Sequence, residues 1–181
     1  MPLEAEDERY IDDTSKAPQR AVTSRSKPLD ETICAAMKKS EGDLRHELGK
    51  SYCIEEADFQ DRVTICGHEF ATYRTSESHG VIFFQVAAGS SSLAPGIIRA
   101  IFLVRQDSEE QIFLAVHRYL TLPTSLPNPF THYPDFGAGL WSSETCKNIT
   151  IVPGNRDIYH AIYRRWDYNT LVMKPLNRVS V

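Results

Sequence analysis

Six histidines (His46, His68, His79, His117, His132 and His160) and four cysteines (Cys34, Cys53, Cys66 and Cys146) are the side chains best suited to metal ligation, proton transfer or nucleophilic attack. None of the histidines forms a His-x-x-x-His or Glu-x-x-His pair on a helix. Cys66-Gly67-His68 comes closest to a ligand pair, but its plainer reading is a tight turn. Gly89-Ser90-Ser91-Ser92 lacks the Gly-x-Ser-x-Gly turn that exposes a nucleophilic serine, and Gly137-Ala138-Gly139 is too short to cradle phosphates. Glu109-Glu110 falls in a turn beside solvent, and a solvated loop is its plainer reading. An enzyme therefore requires a site assembled in space from His68, His117, His132 or His160, and no cofactor is expected.

Aromatic residues are the more suggestive group. Tyr119, Phe130, Tyr133, Phe136, Trp141, Tyr159, Tyr163, Trp166 and Tyr168 crowd the C-terminal half. Such rings either fill a leucine-poor core or line a groove for a peptide. The binding candidates are Tyr119, Tyr133, Phe136, Trp141 and Trp166. Arg164-Arg165-Trp166 is a compact basic-aromatic cluster that reads as a solvated strand edge. Nucleic acid needs a broader basic field than this chain offers.

The elements that must position these residues are unevenly spread. Across 181 residues the net charge is −4, but residues 1–60 carry nine Lys/Arg against fourteen Asp/Glu. Only Tyr10 and Tyr52 among the aromatics precede residue 59. Burial of large apolar groups offsets chain entropy, so the core is expected in residues 59–181. Residues 1–28 are nearly free of such groups and read as a disordered tail. No apolar run approaches the length of a membrane span, and the opening twenty residues do not resemble a secretory signal. The dispersed cysteines read as free thiols of an intracellular protein, not as a disulfide framework.

Leu29, Ile33, Met37, Leu44 and Leu48 form one helical stripe. Residues 29–58 are therefore expected to be a helical segment, with Gly42 leaving open one helix or two. After Asp61 the period shortens to two. Arg62–Cys66 and Glu69–Arg74 predict a hairpin about Gly67-His68, Val81–Ala87 a buried strand, and Gly96–Val104 with Gln111–Tyr119 a second hairpin. Four prolines make 120–139 a connection, and Ile149–Pro153 and Thr170–Pro175 resume the sheet. Tyr159–Tyr168 fits a helix or a strand. This pattern predicts a mainly β chain whose residues 59–181 form a small, partly open β-barrel.

PGIIRAIFLV (95–104), QIFLAVHRY (111–119), GAGLWSS (137–143), ITIVPGNRDIYHAIY (149–163) and TLVMKPLNRV (170–179) resemble, in order, the strands of the bromo-adjacent-homology (BAH) module. The run from RVTICGHEFATY through SHGVIFFQVAAG to RDIYHAIYRRWDYNTLVMKPLNR is similar to the β-rich C-terminal part of fungal transposon-derived proteins. Val116-His117 stand where the module carries an aromatic pair, so a methyl-lysine cage is not carried over. No counterpart of a transposase catalytic core is present. The resemblance implies a non-catalytic BAH-like accessory module, or a fragment surviving from a mobile element. The function expected is binding of a protein or histone peptide by an intracellular protein, with the nucleus as the finer option; the alternatives are the small enzyme and a remnant without selected activity.

Overall fold

The structure is a computed structural model that describes residues 26–52, 54, 56–123 and 125–176. The expected tail lies outside the described residues up to residue 25; beyond it, Lys27–Pro28 (β1) pairs with Glu56–Gln60 (β2). Between them runs one unbroken helix, α1, Glu31–Leu48. Asp30 caps it by accepting from the Thr32 amide at 2.8 Å, and Gly49 ends it at φ 70°, a conformation glycine enters without a side-chain penalty. Gly42 lies on the exposed face and does not interrupt it.

β2 overlaps the end of the 29–58 stretch expected to be helical, which corrects that boundary. EADFQ is too short and too polar to declare a strand by itself. Its identity comes from pairing Asp58, Phe59 and Gln60 with Leu103, Phe102 and Ile101. The first hairpin is β3, Arg62–Ile65, and β4, His68–Ala71. Its two-residue turn is Cys66-Gly67, one residue earlier than expected, with both φ values positive as in a type I′ turn. A single helical turn, α2 (Glu77–Gly80), leads into β5, Val81–Gln85. The second hairpin joins β6, Leu93–Gln106, to β7, Glu109–Thr121, through Asp107-Ser108.

Two 3₁₀ turns, Pro129–His132 and Pro134–Phe136, occupy the proline-rich connection. β8 then runs from Gly139 to Pro153, ten residues earlier than expected. GLWSSETCKN shows no clean alternation. It becomes strand because Leu140 and Trp141 pair with Val172 and Leu171 on one side while Thr145 and Trp141 pair with β7 on the other. The ambiguous segment resolves as strand β9, Ile158–Arg165, followed by β10, Thr170–Pro175.

The chain is mainly β, and β5–β9–β10–β8–β7–β6 closes into a six-stranded antiparallel barrel. β2 extends the sheet outside the ring by pairing with the far half of β6. A register shift at Arg99 bends β6 between its β5-paired and β2-paired halves.

Alternation along β6, β7 and β8 buries both faces. Phe102, Val104, Phe113, Ala115 and Ile151 pack against the α1 stripe of Ile33, Ala36, Met37 and Leu44. Ile101, Leu114, Val116 and Val152 turn the other way, under Ile65 and Phe70 of the β3–β4 hairpin. Inside the barrel lie Val81, Phe83, Tyr119, Ala161, Leu171 and Met173. Phe83 on β5 meets Trp141 on β8 edge to face, with centroids 6.4 Å apart, although two strands separate them around the ring.

Candidate functional site

The five aromatic candidates divide between interior and surface. Tyr119 is buried in the lumen, and Trp141 packs beside it against Phe83. Tyr119 presents no free ring, which corrects its expected place on a contact surface. Trp141 is half-buried, turned against Phe83 on one side and lining a cavity of about 390 Å³ with Thr121, Pro123 and Leu126 of the connection on the other. Tyr133, Phe136 and Trp166 are exposed, at 67%, 49% and 61%. Phe136 and Trp166 are brought together by Phe130, which stacks on Phe136 at 5.8 Å and meets Trp166 edge-on at 6.4 Å.

The proline-rich connection makes this patch possible. Asn128 accepts from the Phe130 amide at 3.0 Å, capping the first 3₁₀ turn, and the Thr131 hydroxyl donates to the Asn128 carbonyl at 2.8 Å. The Tyr133 amide donates to the Phe130 carbonyl, and the Phe136 amide to that of Tyr133. Successive turns thus fix rings that a longer loop would leave without a direction. Trp166 stands at the β9–β10 turn, where its amide donates to Thr170 at 2.9 Å.

Lys174 places Nζ 4.5 Å from the Phe136 centroid, a cation–π contact. The β9–β10 register sets Lys174 opposite exposed Ile162 and Arg164 opposite Val172. An aromatic surface with a cationic edge results. Lys174 had no signal in the sequence, because its neighbourhood depends on a contact between β10 and the distant connection.

A second cluster lies between the β3–β4 turn, α2 and β9. His160 stacks on Phe70 at 4.5 Å, with His79 at 5.5 Å and His68 at 6.4 Å. Glu69 accepts from Arg62 and contacts His79 Nδ1 at 3.2 Å, and the Arg62 hydrogen bond holds its carboxyl below the usual range. Cys66, His68 and His160 share one cavity of about 280 Å³. The Tyr163 hydroxyl donates to Glu77 beside the adjoining groove; burial, then that bond, pushes its pKa up.

Of the four histidines proposed for an enzyme, the structure brings together only His68 and His160, and adds His79. His117 instead contacts the Cys146 carbonyl through Nδ1 at 2.9 Å, and His132 is exposed on a 3₁₀ turn. Among the described residues, no three His, Cys, Asp or Glu side chains form a group that could hold a metal ion. Cys34, Cys66 and Cys146 are free thiols. No helix among the described residues is long and apolar enough to cross a membrane. Comparison of the chain with protein-family models, with curated proteins and with solved structures returned no match.

Proposed function

We propose that this protein is a non-catalytic binding module that recognises a segment of another protein through the Phe130–Phe136–Trp166 patch. The carrying observation is the exposure of Phe136 and Trp166 on either side of Phe130, held by hydrogen-bonded turns on a closed barrel. Rings fixed in advance bind at low entropic cost, and tryptophan commonly dominates such contacts. The resemblance to BAH-like regions adds chromatin proteins as a partner class. Because Lys174 covers one face of Phe136 and Arg164 adds a second cation nearby, the chemistry favours an apolar segment flanked by carboxylates over a basic histone tail.

The test is a peptide array of acidic-apolar and basic histone-type sequences, followed by titration of the best binder. Trp166→Ala and Phe136→Ala should each weaken binding roughly tenfold or more while leaving stability within about 1 kcal/mol. Wild type that captures no peptide, or variants that bind as wild type does, would sink the reading.

One observation favours an enzyme instead: the Glu69–His79 pair beside His68, His160 and the exposed Cys66 thiol. A carboxylate holding one imidazole nitrogen leaves the other for proton transfer. Turnover of an activated acyl ester by the full chain, abolished in both His79→Ala and Cys66→Ala, would establish that reading in place of binding.

A further inference from the structure

A groove of about 700 Å³ opens where the described chain begins, between the start of α1, the β6 bend and β8. Its rim carries Lys27, Arg74, Arg99 and Lys147, all exposed. The register shift at Arg99 takes that residue out of regular pairing and re-aims its side chain. Among the described residues, none of the four makes an ion pair within 4 Å. The groove's own acids are Asp30, committed to capping α1, and Asp61, which accepts from the Thr75 hydroxyl at 3.5 Å. Phe59 and Ile149 are half-buried among its apolar lining residues. On a chain of net charge −4, this is a local excess of positive charge.

We propose that this groove is occupied by the chain's own residues 4–13, EAEDERYIDD. That segment holds six carboxylates against Arg9 alone, with Tyr10-Ile11 as its apolar pair. Its composition complements a cationic rim around an apolar lining. The thirteen residues 14–26 join it to Lys27, which itself lines the groove. A linker of that length reaches roughly 20 Å on average. Tethering at such range supplies an effective concentration on the order of millimolar, so a weak electrostatic contact suffices to fill the groove. A segment with too few apolar groups to order itself can still be held by a surface of opposite charge. This inference stands apart from the aromatic patch and does not depend on it.

The experiment is zero-length carbodiimide cross-linking of the full chain, an equal mixture of ¹⁵N-labelled and unlabelled protein, read by mass spectrometry. Lys147 is the diagnostic amine, because Lys27 lies near the segment in sequence. The expected result is amide links between Lys147 and carboxylates of residues 4–13 within one copy, reduced at least fivefold by 0.5 M salt or by the exposed-site double variant Arg74→Glu, Arg99→Glu. A second variant leaves the folded residues untouched: Glu4→Gln, Glu6→Gln, Asp7→Asn, Glu8→Gln should raise the acylation rate of Lys147 about threefold. The proposal is overturned if Lys147 forms no such link, if the segment links to Lys174 instead, if only mixed-isotope pairs form (a second copy as occupant), or if Lys147 acylation is the same in the tail variant.

Discussion

Tyr119 shows how one side chain can change role with its surroundings. In sequence it is one of several rings in the C-terminal half. In the barrel, burial pushes its phenol from an ordinary 10 up to about 12. A pKa raised in the folded state means that the unfolded chain ionises first. The associated stability is therefore fully present below pH 10 and is lost as pH rises toward 12. The loss should amount to ~3 kcal/mol. Tyr119→Phe removes the titrating group, so its urea midpoint should fall less steeply across that window than that of wild type. Parallel midpoint curves for the two proteins would show that Tyr119 is not buried as described. Trp141 and Trp166 make the same point without titration, because strand register, not residue type, sends one to the lumen and the other to the surface.

Among elements, α1 carries the clearest energetic claim. Its last turn presents Glu47 to Arg156, which precedes β9, through contacts of 2.6, 3.0 and 3.1 Å. Both side chains are more than nine-tenths buried, and Arg156 also donates to the Val86 carbonyl. Removing one partner of a buried pair strands the other charge away from water. Glu47→Ala should therefore cost about 3–5 kcal/mol. Lys50–Glu109 offers the contrast, because Glu109 is 72% exposed and water screens the pair. Glu109→Ala should cost less than about 1 kcal/mol. Chemical denaturation of both variants checks the difference, and equal midpoints would mean that α1 is not clamped to the barrel. The α1 stripe was legible from its spacing. The clamp was not, since Glu47 and Arg156 are far apart in sequence and look like ordinary surface charges.

For the whole molecule, the decisive feature is that β6, β7 and β8 have no free face along their shared length. Ile101 and Leu114 serve the hairpin-covered core, while their neighbours Phe102 and Phe113 serve the helix-covered one. Neither cover can leave without exposing strands that the other still needs. The chain should therefore unfold in a single transition, with far-UV circular dichroism and tryptophan fluorescence giving coincident midpoints. Two resolved midpoints would show that α1 or the β3–β4 hairpin is a separate unit.

Local chemistry determined much of this protein without reference to tertiary contacts. The helical spacing from Leu29 to Leu48, the apolar runs Gly96–Val104 and Gln111–Tyr119 on either side of an acidic turn, and the prolines of 120–139 each act on backbone angles or on the next few residues. Helix, hairpin and connection follow from them. Contacts between distant segments decided the rest. β2 and the first ten residues of β8 become strands only because partners lie alongside, as their polar composition carries no period. The meeting of Phe130, Phe136, Trp166 and Lys174, and that of His68, His79 and His160, depends on how the ring closes, and ring closure is a property of strand register across the whole sheet.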